Sequence, residues 1–478
     1  MGQPAVIPIL RSVACLGALV LASSARAATL SVSPESGPPT TAVLLDASGF
    51  SSREYVSVLF DQETVAIVVA DVQGGFHESI RVRASARPGA HVIEAVGSGG
   101  SASDTFLVRT NWSQFLFDAG HSGRNPYENV LSPKTARKLQ LLWTAQAGSS
   151  GLGGGIHTQI AVVDGVAYVS SQDGNLYAFD AATGSLLWTG DTGYSDSSPA
   201  VADGRVHVGT ASGLLTFPAS CSTPCAPLWT ADTQTTINQA ITYSEGTVYA
   251  SAYSGYLDAF DASSGAPLWS GLVNAIDPVF GPSAVFRGIV YVPGDKGLYA
   301  FPTDCATSCE PLWIFRTPYG LEKSPSVVEG VAYVTGDQGT LYALDARTGE
   351  QMWAGEAYAI PTSTAVGEDR VYVSAADGRL RAFPRSCADN HCHPDWTAHF
   401  PGHSLFDPVV ANGVVYAGSL DFYYLYGTVF AFPEDCSDPC RPLWSYGVEG
   451  AIEQPPTVAD GVLYVGTLTG KVYAFGLR

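Results

Sequence analysis

Asp164 to Trp188 reads DGVAYVSSQDGNLYAFDAATGSLLW, and Glu329 to Trp353 reads EGVAYVTGDQGTLYALDARTGEQMW. Apolar and polar residues alternate over short runs in both stretches, and glycine turns separate the runs, so each is a series of short strands joined by hairpins. The phrase returns along the chain. Trp143, Trp188, Trp229, Trp269, Trp313, Trp353, Trp396 and Trp444 follow one another at intervals of 40 to 48 residues, the spacing of four-stranded antiparallel blades in a β-propeller. One blade cannot bury its own apolar faces, so the units are stable only when they stack round a ring. A Trp repeated in every unit serves the repeat, and is read as a contact between blades rather than as a catalytic group.

Seven complete units end on a Trp strand, and the chain then stops after a partial unit, Pro456 to Arg478, that lacks one. An orphan Trp strand, Lys138 to Ala145, stands in front. Pairing the two ends beside Val472 to Phe475 leaves no open sheet edge, and the expected fold is all-β, an eight-bladed propeller of four-stranded blades over residues 138–478.

Three units carry A-x-D-x-x-[ST]-G-x-x-x-W in full, at Ala178 to Trp188, Ala259 to Trp269 and Ala343 to Trp353. This resembles the tryptophan-docking motif of quinoprotein alcohol dehydrogenases and of their non-enzymatic relatives, the pyrroloquinoline-quinone-like (PQQ-like) repeat propellers, including the BamB type. The resemblance spans roughly residues 138 to 478 and concerns the fold, because the motif builds blades whether or not a cofactor sits in the channel. In the enzymes it implies a quinone held beside an adjacent-cysteine disulfide, calcium ligands and a catalytic Asp. No two cysteines are adjacent here, and the loops between strands are minimal. The reading is therefore a non-catalytic binding or scaffold protein with no assigned catalytic residue, acting on a protein or cell-envelope partner, as a monomer without cofactor. The alternative is a PQQ-dependent dehydrogenase with PQQ and Ca²⁺ in the channel.

Residues 1–27 hold an apolar stretch from Ser12 to Ala22 and the small-residue site Ala25-Arg26-Ala27, the pattern of a cleaved secretory signal. The expected location is extracytoplasmic, periplasmic or secreted. Residues 28–109 lack Trp and show short alternating strands at about ten-residue intervals, a β-sandwich pattern that resembles a bacterial immunoglobulin-like or IPT/TIG-type module. Residues 110–137 resemble the lead-in segment of secreted PQQ-like propellers, and are expected to lie across one face of the ring. The net charge of −20 excludes the basic footprint that nucleic acid requires, and no later apolar run is long enough to span a membrane as a helix.

Eight cysteines remain beyond the signal, in four close pairs: Cys221 with Cys225, Cys305 with Cys309, Cys387 with Cys392, and Cys436 with Cys440. Each pair replaces the docking turn, as in FPASCSTPCAPLW, at one fixed place before the Trp strand. The even count and the oxidising destination read as disulfides that fix the hairpin locally. Cys387, Cys392 and His393 form an expanded haem-attachment spacing, but the pair aligns with three others that lack the His. His391, His393, His399 and His403 crowd the same region and are read as surface or inter-blade residues, not as a metal site.

Residues just ahead of each innermost strand should face the axial channel: His157, Asp196, Asn238, Asp277, Glu322 with Lys323, Thr362, Asp407, and Glu453 with Gln454. They make either an acidic ring able to hold a hard cation such as Ca²⁺ or a hydrated pore lining. One hairpin departs from the repeat, Ser419 to Gly427, where Phe422, Tyr423, Tyr424 and Tyr426 crowd the tip. These aromatics either dock a partner or fold over the adjacent blade.

Overall fold

The computed structural model describes residues 27–148, 154–233, 235–274, 281–336, 338–388, 390–400, 406–420 and 426–478. The signal-like segment 1–26, Asp277, His403 and the tip residues Phe422, Tyr423 and Tyr424 lie outside them. Contacts divide the chain into two units.

The N-terminal unit is built on two antiparallel arrangements. Thr29–Ser33, Ala42–Ser48 and Phe76–Arg81 form one sheet, and Ser101–Val108, Gly89–Val96, Tyr55–Phe60 and Glu63–Val69 lie side by side in that order in the other. The two-residue period decides which residues are inside. Val43, Leu45 and Ala47 are buried along one strand, as are Val56, Val58 and Phe60 along another, while their neighbours are more accessible.

Among the described residues the second unit holds eight sheets, each built on four antiparallel strands. They occupy residues 161–191, 200–232, 242–272, 284–316, 326–356, 361–399, 409–449 and 457–476, and are called here the first to the eighth sheet. The eighth takes its outer strand from the far end of the unit. Gln140–Gln146 pairs antiparallel with Lys471–Gly476, placing Trp143 opposite Ala474. From the first sheet to the seventh the first strands are neighbours in turn, and that of the eighth, Thr457–Ala459, neighbours that of the first, Ala161–Val163. The ring is closed. Among the described residues the one helical turn is Ala136–Lys138.

The tryptophans join one sheet to the next. Indole N–H groups of Trp143, Trp188, Trp229, Trp269, Trp313 and Trp353 donate to the main-chain carbonyls of Ala181, Ala219, Ala262, Thr303, Arg347 and Arg385, at 3.0 to 3.2 Å. In the docking motif the Asp folds the turn that receives the ring. Asp180 Oδ1 accepts from the Ala182 and Thr183 amides and the Thr183 hydroxyl. Asp261 does the same with Ser263 and Ser264, and these bonds hold its carboxyl down at about 2. The following glycine has φ near +75°, and a Cβ on Gly184, Gly265 or Gly349 would lie 2.5 to 2.6 Å from the preceding sheet's Trp143, Trp229 or Trp313 ring.

All four cysteine pairs are disulfides, so Cys387 and Cys392 are bonded to each other. Their task is wider than the local one expected from sequence. Trp188, Trp269, Trp353 and Trp396 pack on the buried Cys225, Cys309, Cys392 and Cys440, so a cystine stands where other sheets place the docking glycine. The second cysteine also pairs in parallel with the outer strand of the preceding sheet: Cys225 with Gly190, Cys309 with Gly271, Cys392 with Gly355 and Cys440 with Ala398. The loop clasps two sheets.

Candidate functional site: the axial channel and its belt

The segment Trp112 to Asn125 runs round the inside of the ring and meets the first strand of every sheet in order. Trp112 exchanges backbone hydrogen bonds with Val162, and the amides of Val201, Val285, Val327, Val366 and Val410 donate to the carbonyls of Ser113, Ala119, Gly120, Ser122 and Gly123 at 2.6 to 2.8 Å. The Gln114 side chain makes the contact to Tyr243 in the third sheet, and Asn125 Nδ2 donates to Val458 in the eighth. Small residues let this belt approach so closely: a Cβ on Gly120 would lie 2.6 Å from the Val327 carbonyl. Trp112, Phe115, Leu116 and His121 of this segment are buried. His121 bridges the third sheet and the entry to the fifth, with Nδ1 2.6 Å from Ser324 Oγ and Nε2 3.1 Å from Thr242 Oγ1, and burial pushes its imidazole down to about 3. It is neutral at physiological pH.

The connections between sheets lie at the opposite end, and they bring the sequence candidates together. Asp196, Asn238, Glu322, Lys323, Thr362, Asp407, Glu453 and Gln454 line one cavity of about 180 Å³ with Phe115 of the belt. Asp196 is held by the Gln172 amide at 2.7 Å and the Tyr194 hydroxyl at 2.5 Å, and that carboxylate bond lifts Tyr194 to about 12. Burial raises Asp407, against the Lys323 charge and the Ser363 amide 2.6 Å away. His157 is not among the residues that line the cavity; its Nδ1 lies 2.9 Å from Glu453. Burial pulls His157 down, but the hydrogen bond and charge of Glu453 with the charge of Asp196 hold it above its usual value. Tyr426 is exposed at the start of its strand. His391 and His393 rings lie 5.2 Å apart, and among the described residues no three His, Cys, Asp or Glu cluster as metal ligands.

A tricarboxylate quinone does not fit this lining. The cavity is smaller than the roughly 300–1,000 Å³ of ordinary organic ligand sites. Four carboxylates face one lysine, so an anion would be repelled.

The family model described as outer membrane protein assembly factor BamB matches residues 135–219 and 305–391. The repeats are of the PQQ-like, BamB-like kind. A quinohemoprotein alcohol dehydrogenase, ADH-IIG, of Pseudomonas putida is 36% identical over 114 residues, which is 21% of this chain and 16% of that protein. Outer membrane protein assembly factor BamB of Burkholderia pseudomallei is 28% identical over 261 residues, covering 50% of this chain and 66% of its own. The chain thus spans from about a sixth to just under two thirds of these relatives. The solved quinohemoprotein alcohol dehydrogenase from Comamonas testosteroni superposes with a TM-score of 0.61 at 15% identity, over 77% of this chain and 80% of that one. The PQQ-like repeats make this a β-propeller. The belt was missed as a ring-wide contact because most of its bonds use backbone, which leaves no side-chain signature.

Proposed function

We propose that the protein is an extracytoplasmic, non-catalytic binding or scaffold protein: an eight-bladed PQQ-like propeller over 138–478, preceded by an immunoglobulin-like module over 28–109 and a lead-in over 110–137. One observation carries the reading. The belt is bonded to the inner strands, and the cavity lined at the connections between sheets is small and acidic, without the charge or room for a quinone. A cavity of that kind recognises a group on a partner rather than holding a redox cofactor. The partner is a protein or another component of the cell envelope, in keeping with the name of the BamB relative. No helix among the described residues is long and apolar enough to cross a membrane.

The second reading, a quinoprotein dehydrogenase, is favoured by the 36% identity to the alcohol dehydrogenase. One experiment separates the two. Protein purified from its native host is examined by ultraviolet-visible absorption, then incubated with PQQ and Ca²⁺ and assayed with alcohols, aldoses and an artificial electron acceptor. The binding reading expects no quinone absorption and no turnover. Turnover lost on Asp277→Ala, Asp407→Ala or Glu453→Ala would overturn it.

A further inference from the structure

Four of the eight outer strands are already extended by the chain itself. The cystine loop of the next sheet runs parallel to the outer strand at Gly190, Gly271, Gly355 and Ala398. In doing so the Cys225 and Cys440 amides donate to the carbonyls of Thr189 and Thr397, one residue beyond the Trp, at 2.8 and 2.9 Å. The outer strands of the second, fourth, seventh and eighth sheets have no such strand beside them among the described residues. Their edges are open.

The seventh is the least guarded. Three residues beyond the Trp, the second, fourth and eighth sheets carry Asp232, Arg316 and Gln146, long or charged side chains of the kind that discourages edge pairing, whereas the seventh carries Gly447. A Cβ there would meet nothing within 4 Å. Ser445 corresponds to Thr397, whose carbonyl points away from its own sheet to Cys440, and alternate residues of a strand aim their backbone groups to the same side. Ser445 and Gly447, both exposed, therefore present theirs outward.

The surroundings select the charge of what pairs here. The turn Ala136–Lys138 lies beside this strand, and the Trp444 indole donates to the carbonyl of Leu139. Arg137, Lys138 and Arg441 are exposed at that end and make no ion pair among the described residues. The strand's one carboxylate, Glu449, stands at the other end, paired with Lys471 and opposite the exposed Tyr426. In a chain of net charge −20, this edge is locally basic.

We propose that Trp444–Glu449 is the docking edge for an extended acidic segment of a partner protein. The segment adds in parallel as a further outer strand, in the manner of the cystine loops, with its acidic residues at the amino end beside Arg137, Lys138 and Arg441. This rests on the binding reading above and names the segment's conformation, direction and charge. Backbone bonds supply the attraction in strand addition, and the flanking charges supply the choice of segment.

The test is fluorescence anisotropy of the full chain with labelled eight-residue peptides that have blocked ends. One has two Asp followed by alternating Thr and Val, the second has the Asp pair last, and the third has Lys in place of Asp in the first. The first is expected to bind tightest and to slow amide exchange at Ser445 and Gly447 of the unaltered protein. Its affinity should fall at least about tenfold in Gly447→Pro, which removes an outward N–H, and in Arg137→Ser/Lys138→Ser. It should hold within about twofold in Arg316→Ser/Arg347→Ser, which removes equal charge at the seam of the fourth and fifth sheets. Near-ultraviolet circular dichroism checks that each variant keeps its fold, and the exchange measurement decides the site if Gly447→Pro does not. An equal loss in the fourth-sheet variant, or equal binding of the Lys or reversed peptide, would overturn the proposal. So would binding that leaves exchange at Ser445 and Gly447 unchanged; the binding reading then stands and the strand edge falls. If no peptide binds, the strand edge also falls, and the binding reading is judged by the quinone assay above.

Discussion

The indole N–H of Trp444 donates to the carbonyl of Leu139, 305 residues earlier, at 3.1 Å. That bond joins the seventh sheet to the strand that completes the eighth, and it repeats at the seam the contact made by six other tryptophans. Trp396 is the exception: its buried indole N–H has no hydrogen-bond partner among the described residues.

The pair Trp444 and Trp396 isolates the worth of the bond. Trp444→Phe should lower unfolding free energy by about 0.5–1.5 kcal/mol more than Trp396→Phe, since only the first change leaves a carbonyl without its donor. Urea denaturation of both variants decides it. Equal losses would assign the tryptophans to packing alone.

Gly265 tests the docking turn. Its φ is +74°, and an added Cβ would fall 2.5 Å from the Trp229 ring, so Gly265→Ala carries both backbone strain and overpacking. A loss of about 1–3 kcal/mol is expected. Gly246→Ala, also at positive φ but with open space around it, should lose less.

The cystine loops should protect the seams. Each closes a loop of four or five residues, so the chain-entropy gain lies below the typical 2–4 kcal/mol. Cys221→Ser/Cys225→Ser should therefore cost little global stability, yet raise amide exchange at Cys225, whose N–H donates to Thr189 of the preceding sheet. Unreduced peptide mapping should recover the four local pairs. Cross-links between different pairs would contradict the structure.

Buried histidines set the response to acid. His121 is pushed down to about 3 by burial, and His207 to about 4 by burial first and the Arg205 charge second. The unfolded chain binds a proton on each near pH 6.5, so stability should fall as pH drops from about 6.5 towards 4, by up to roughly 1.4 kcal/mol per pH unit for each histidine. His157 has the opposite sign: its raised value contributes below the unfolded pKa and is lost as pH rises through the folded one. Urea midpoints from pH 7.5 to 4.5 should therefore decline less steeply in His121→Gln than in the parent. Parallel slopes would remove His121 from this account.

The belt should behave as part of the core. Amides of Val201, Val285, Val327, Val366 and Val410, which all donate to it, should exchange only through global unfolding. Faster exchange at these five than at their strand neighbours would mean that the belt detaches.

The sequence by itself determined the repeat. Period-two alternation, the docking Asp and Gly, the Trp spacing and the paired cysteines are local patterns, and local patterns specify strands, turns and short crosslinks. It also placed Asp196, Glu322, Asp407 and Glu453 at equivalent points of successive units, which in a ring means one cavity. Tertiary structure decided what no local pattern carries. The belt's contacts are mostly backbone to backbone, with the Asn125 side chain reaching across 333 residues to Val458, the cystine loops reach a different sheet from their own, and His157 turns to Glu453 rather than into the cavity lining.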